Sequence, residues 1–258
     1  MTSPLSIEQI LTKIGGIGRF AGRFFVKIFR PPIELKETIK QIYDVGVRSF
    51  ALVAVVAIVI GAVLTMQSRP IMLKFGAEAF VPAMVAVSTL RELSPVIVSL
   101  IVAGRVAAGI GAELGSMRVT EQIDAMEVSA LDPFQYLVTT RVIACMVALP
   151  LLTMYADVIA LFGSAIVQKI EAGMSFRLYY NSVMNSISFV DFVPGLVKTI
   201  IFGFVIGIVG CYEGFNSRGG TEGVGRSATD AAVISSLLIL IVDMFVVKIT
   251  VLLFDTTK

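Results

Sequence analysis

The chain of 258 residues is 56% hydrophobic and 16% charged, with a mean hydropathy of +0.89. A soluble domain carries about 25% charged residues, so this is the composition of an integral membrane protein, and its long apolar runs make it an all-α one. The absence of histidine excludes His-based acid–base chemistry and His-ligated metals, Cys145 and Cys211 each sit inside an apolar run with no disulfide or zinc pattern, and a net charge of +2 gives no reason to expect nucleic acid as a partner.

Near the N-terminus, Ile7, Ile10, Leu11, Ile14, Phe20, Phe24 and Ile28 recur at helical intervals, while Arg19, Arg23, Lys27 and Arg30 step along another face. This predicts an amphipathic helix lying in the headgroup region, its basic face toward anionic lipid. A signal peptide would need an unbroken apolar core before a small-residue cleavage site, and none is present. Pro31 and Pro32 end the helix. Residues 1–48 are therefore expected to form a cytoplasmic, interfacial region, of which Glu34 to Arg48 leads into the bilayer.

Residues 49–258 hold five candidate spans, about Ser49–Met66, Val81–Gly104, Tyr136–Val167, Phe192–Tyr212 and Ala231–Phe254, judged against the roughly 20 apolar residues that cross a bilayer. Pro82 and Pro95 interrupt the second, and Gly203 with Gly207 gives the fourth a small surface for close helix contact. Lys13, Arg19, Arg23, Lys27, Arg30, Lys36, Lys40 and Arg48 place the N-terminus in the cytoplasm by the positive-inside rule. Counting crossings then puts Arg105 to Arg141 and the Gly-rich loop Gly214 to Thr229 inside. Gln67 to Phe80, a segment at about 168–191 and the C-terminus fall outside.

Between the second and third spans, Gly109 to Pro133 is a charged interruption. Val119, Ile123, Met126 and Ala130 recur at helical spacing, and Glu113, Thr120, Asp124 and Glu127 fall on another face, so a helix at about 112–130, which also carries Arg118 and Glu121, is expected to meet something outside the membrane. Charges also lie inside the spans: Arg91 and Glu92, Asp157, Lys198, Asp243 and Lys248. Each costs roughly 2.5–3.5 kcal/mol at the bilayer centre, so they are expected to pair, Lys198 with Asp243 and Arg91 with Glu92. Such pairs either fix helix register or form a polar floor or gate beneath a cavity. On the outside, Ile71, Met72 and Phe75 are apolar where water is expected. They are either buried against a neighbouring loop or form an apolar mouth continued inward by Leu64 and Leu93, with Met66 and Met72 adapting to varied acyl chains.

Two spacings are decoys. Gly220 to Ser227 has the spacing of a phosphate-binding P-loop, but Arg226 stands where the lysine belongs and a membrane span precedes it. Gly16, Gly18 and Ala21 fit a dinucleotide-binding pattern without a preceding strand.

Arg91 to Pro133, RELSPVIVSLIVAGRVAAGIGAELGSMRVTEQIDAMEVSALDP, and Gly219 to Thr229, GGTEGVGRSAT, resemble the signature of MlaE-type permeases of ABC phospholipid transporters, and the likeness covers nearly the whole chain. The resemblance implies a homodimer in the bacterial inner membrane. It also implies a cytoplasmic ABC ATPase dimer that uses ATP and Mg, a STAS-domain accessory protein, a hexameric periplasmic MCE-domain ring and a soluble periplasmic lipid carrier, together maintaining outer-membrane lipid asymmetry. On this resemblance the chain binds no cofactor and is not itself an enzyme. The lipid-contacting positions of the family fall on Leu64, Ile71, Met72, Phe75 and Leu93, its intramembrane charges on Arg91, Glu92, Lys198 and Asp243, and its ATPase-coupling helix on Glu113, Arg118, Glu121, Asp124 and Glu127. Phe75 stands where some relatives have tyrosine. Three other readings are open: a proton-coupled carrier of a lipid-like substrate using Asp157, Glu92 or Asp243, the permease of a related MCE system with another hydrophobic substrate, and a structural anchor for a periplasmic ring.

Overall fold

The computed structural model describes residues 7–28 and 34–255; Arg30, Pro31 and Pro32, where the sequence places a basic residue and the end of the first helix, lie outside the described residues. All regular structure among the described residues is helical. The helices are α1 (Ile7–Lys27), α2 (Leu35–Lys74), α3 (Glu78–Val119), α4 (Gln122–Val128), α5 (Phe134–Ala172), α6 (Phe176–Ser186), α7 (Phe189–Phe215) and α8 (Gly220–Asp255). Of these, α2, α3, α5, α7 and α8 are long and apolar enough to cross a membrane. The chain is an all-α membrane protein.

Helix ends depart from the hydropathy boundaries for local reasons. Helix α2 runs without a break through residues 48 and 49 and continues past Met66 to Lys74. Hydropathy marks where the sequence turns polar, whereas Gln67, Ser68 and Arg69 are compatible with a helix. The helix stops at Gly76, whose φ of +66° closes a Schellman motif: Ala77 N–H donates to the Met72 carbonyl at 2.9 Å and Gly76 N–H to the Leu73 carbonyl at 3.1 Å. Most of the outer connection expected at Gln67 to Phe80 is thus helical. In α3 the chain passes through two π-helical turns, Thr89–Leu93 and Ala103–Ala107. The first ends just before Pro95, which has no N–H to offer an α-helical ladder.

The chain forms two compact units. The first comprises Met1–Ile42, Ala103–Cys145 and Phe204–Leu238. In it Phe20 of α1 packs on Phe134, Tyr212 and Phe215, with ring centroids 4.8, 5.7 and 6.0 Å away, and Phe24, one turn on, is fully buried. The basic side of α1 is turned partly to protein. Lys13 Nζ pairs with Glu213 at 3.0 Å and Asp230 at 2.8 Å, Arg23 lies 4.5 Å over the Phe134 ring, and Lys27 pairs with Asp132. Burial alone pushes the Lys13 ammonium down, but Asp230 and Glu213 outweigh it and hold it above the usual lysine range. Burial likewise pushes the Asp132 carboxyl up, and Lys27 with the backbone N–H groups of Gln135 and Phe134 holds it below the usual carboxylate range. Of the basic stripe expected to face lipid, Lys27 is therefore turned to Asp132, while Arg19 and Arg23 are exposed. Leu11, Ile14, Phe25 and Val26 are its exposed apolar residues.

The second unit comprises Tyr43–Val102, Met146–Gly203 and Ile239–Lys258. Here α2 and α5 touch backbone to backbone: a Cβ on Gly61 would lie 1.8 Å from the Ala160 carbonyl oxygen, and one on Gly163 2.4 Å from that of Ile58. Close approach of this kind is how membrane helices gain packing where lipid offers no hydrophobic drive. Beside it Thr65 donates a hydrogen bond to Ser164 Oγ at 2.7 Å. Because backbone cannot yield as a side chain can, Gly61→Ala and Gly163→Ala are expected to lower the thermal midpoint of the detergent-solubilised protein, by about 1–3 kcal/mol each. Gly104→Ala, where nothing lies within 4 Å of the added carbon, is expected to leave the midpoint unchanged or slightly raised.

Candidate functional site

The residues singled out by the sequence separate by unit. Glu113, Arg118, Glu121, Asp124 and Glu127 belong to the first; Leu64, Ile71, Met72, Phe75, Arg91, Glu92, Leu93, Lys198 and Asp243 belong to the second.

In the second unit, Lys198 of α7 is the centre of the intramembrane charges. Its side chain is 2% exposed. Its Nζ donates to Glu92 Oε2 at 2.5 Å and to the Arg91 carbonyl at 3.3 Å, and lies 2.8 Å from Asp243 Oδ1 as an ion-pair partner. One cation therefore joins α3, α7 and α8. The π-turn Thr89–Leu93 presents Glu92 to Lys198 and turns Arg91 elsewhere, to Asp191. The pairing of Arg91 with Glu92 expected from adjacency does not occur, because neighbouring residues on a helix do not face one another.

Asp191 was not singled out by sequence reasoning, which placed it at the end of an outer segment. Its signal was Ser188 three residues earlier. Asp191 Oδ2 accepts from the Ser188 N–H and hydroxyl, both at 2.9 Å, a capping box that starts α7 at Phe189. The other carboxylate oxygen, Oδ1, is left for Arg91. Arg91 is 52% exposed and Glu92 45% exposed at their side chains, although both lie in a helix apolar enough to cross a membrane. Charges so placed face a water-filled cavity or another protein rather than lipid.

Helix α2 carries Leu64, Ile71 and Met72 on one face, at spacings of seven and one, and Phe75 follows in the turn that ends the helix. Leu64 and Met72 are half-buried, Ile71 is exposed, and Phe75 is 78% exposed. Leu93 is half-buried in the π-turn beside Glu92. Within this segment Ile71 and Phe75 are not buried against a neighbouring loop, and Met72 is so only in part.

In the first unit, the single helix expected at about 112–130 is two, with a break. Helix α3 ends at Val119, Glu121 takes a left-handed φ of 59°, and α4 follows; after α4, Ala130 takes a φ of 60°. Left-handed backbone at residues other than glycine costs roughly 1–3 kcal/mol and collects at functional segments. Arg118 pairs with Asp124 across the break. Ile123 is buried and anchors α4, whereas Asp124 and Glu127 are exposed and Val128 is 88% exposed. Glu113 is held instead by Arg141, at 2.8 Å. The P-loop-like spacing at Gly220 to Ser227 is the first two turns of α8, and the Gly16 region is part of α1, where Gly16 admits the Tyr212 side chain. Among the described residues there is no group of three or more Cys, Asp or Glu placed to hold a metal ion.

A family model described as "Permease MlaE" matches residues 38–249. The chain belongs to the MlaE permease family. Relatives of this MlaE-family chain include a probable ABC transporter permease protein of Rickettsia felis, 39% identical over 236 residues, covering 92% of this chain and 91% of the relative. One from Synechocystis sp., also named a probable ABC transporter permease protein, is 36% identical, covering 87% of this chain and 85% of the relative. The chloroplastic protein trigalactosyldiacylglycerol 1 of Arabidopsis thaliana is 34% identical, covering 86% of this chain and 64% of its own length. The protein is a multi-pass transporter permease.

Lys198 offers a direct check on the charge network. Lys198→Met removes one cation from between two carboxylates, and a buried pair broken on one side costs on the order of 3 kcal/mol. The thermal midpoint in detergent is expected to fall by that order, and adding Asp243→Asn is expected to recover part of the loss.

Proposed function

We infer that this MlaE-family permease moves phospholipid in the bacterial inner membrane. On this reading it acts as a homodimer, with its N-terminus cytoplasmic and its C-terminus periplasmic, within an ATP-driven system that maintains outer-membrane lipid asymmetry. The observation that carries the reading is the exposure of Arg91 and Glu92 in one unit with an exposed apolar face on α2. A phospholipid is charged at one end and apolar at the other, and this unit offers both surfaces. The relative named for trigalactosyldiacylglycerol adds support for a lipid cargo.

The remaining parts follow the family. A cytoplasmic ABC ATPase dimer, with ATP and Mg bound to it and not to this chain, receives α4, and a STAS-domain protein sits on the ATPase. A hexameric MCE-domain ring on the periplasmic side passes lipid to a soluble carrier. Helix α4 suits a seat in another protein: it is short, it is bounded by two left-handed residues, and it exposes Asp124, Glu127 and Val128. ATP-driven closure of the ATPase pair draws the two copies of α4 together and narrows the cavity lined by Leu64, Ile71, Met72, Phe75 and Leu93. Closure moves lipid only if lipid binds the open cavity more tightly than the closed one, since a ligand shifts an equilibrium by its differential affinity alone. The charges Arg91, Glu92, Lys198 and Asp243 form the polar floor of that cavity.

In the complex purified with its ATPase and reconstituted into vesicles, Asp124→Lys with Glu127→Lys is expected to leave the complex assembled and hydrolysing ATP while lipid transfer falls about tenfold or more, a loss of at least 1.4 kcal/mol in coupling. Assembly and transfer at wild-type rates would remove α4's acidic face from the coupling surface.

A further inference from the structure

Among the intramembrane charges, Asp157, on α5 in the second unit, is a buried one that neither the ion-pair network nor the lipid reading uses. It is 5% exposed. Its carboxyl is hydrogen-bonded by the Ser94 hydroxyl, and Oδ1 has no partner. Of the cations on the helices of this unit, Arg91 is engaged by Asp191, Lys198 by Glu92 and Asp243, Arg69 by Glu78 and Glu171, Arg48 by Asp44, and Lys169 over the Phe176 ring at 4.4 Å, while Lys74, Arg177 and Lys248 are exposed. Burying an ionised carboxylate without a counter-charge in a membrane span costs several kcal/mol, whereas a carboxyl group that carries a proton has no charge to bury.

Ser94 is the one polar residue lining a small pocket with room for about one water molecule, walled by Val53 and Ala57 of α2, Val98 of α3, and Ala156 and Ala160 of α5. None of these residues titrates. The other titratable side chain next to Asp157 on α5, Tyr155, is stacked on Phe50 with centroids 3.8 Å apart. Ser94 also follows directly on the π-turn Thr89–Leu93, which carries Arg91 and Glu92. Movement of that turn carries Ser94 with it, and with Ser94 the hydrogen bond to Asp157.

We propose that Asp157, with Ser94, is a proton-binding site within the membrane, which holds a proton while the carboxyl is shut away from water and releases it when water reaches it through the pocket that Ser94 lines. Occupancy of the site and the position of the Arg91–Glu92 turn are then linked, each biasing the other. A metal cation is the poorer occupant, because a carboxylate and one hydroxyl supply too few oxygens, and among the described residues no further Asp, Glu or Cys joins them as a ligand cluster.

The test uses the full native chain in membranes and dicyclohexylcarbodiimide, which modifies carboxyl groups that hold a proton in apolar surroundings. Peptide mass spectrometry over a pH series is expected to find the adduct on Asp157, its yield falling about tenfold per pH unit above a midpoint, and Ser94→Ala is expected to move that midpoint. Absence of the adduct at every pH, while other carboxyls of the chain react, would overturn the proposal. Suppression of the adduct by sodium at constant pH would also overturn it, in favour of a sodium site. The readout depends neither on a variant's folding nor on phospholipid being the cargo.

Discussion

A charge inside a membrane span must find a partner, and in this protein that constraint decides how the second unit is put together. The apolar faces of α3, α7 and α8 would pack in several registers, since lipid and side chain are equally apolar. Lys198 selects one. Its ammonium reaches Glu92 and Asp243 at once, and only one sliding position of three helices brings those groups together. Arg91 and Asp191 form a second such point, and there the capping box of α7 fixes the acid before the guanidinium meets it. The charges are thus both the fasteners of the unit and its polar surface.

The π-turn Thr89–Leu93 ties these features to each other. Within five residues it directs Arg91 to one acid and Glu92 to Lys198, holds Leu93 beside them, and delivers Ser94 to Asp157. The extra residue of a π-turn is tolerated because Pro95 has no N–H to lose, and such turns are frequent at functional sites.

Composition and hydropathy already contain the architecture: the five spans and the helical N-terminal arm follow from runs and periodicities that are local in sequence. The partner of Arg91 is a different matter. Asp191 is a hundred residues away, and no spacing rule reaches across a tertiary contact, although the Ser188–Asp191 cap was visible as a motif. The ends of α2 and the break before α4 were also hidden. Polarity at Gln67–Arg69 looks like a loop to a hydropathy window, and the left-handed Glu121 and Ala130 carry none of the glycine signal that marks such turns. Asp157 was visible as an intramembrane acid, but its lack of a cation becomes evident only in the folded chain, where the intramembrane cations Arg91 and Lys198 are held by other acids.

The central claim is that the exposed apolar face of α2 holds phospholipid. Replacing Phe75 by a benzoyl-phenylalanine photocrosslinker in cells grown with radiolabelled phosphate tests it directly. The account predicts an illumination-dependent radiolabelled adduct that migrates with this chain and is lost on phospholipase treatment. Crosslinking from the same position to protein alone, with no lipid-derived label, would contradict it.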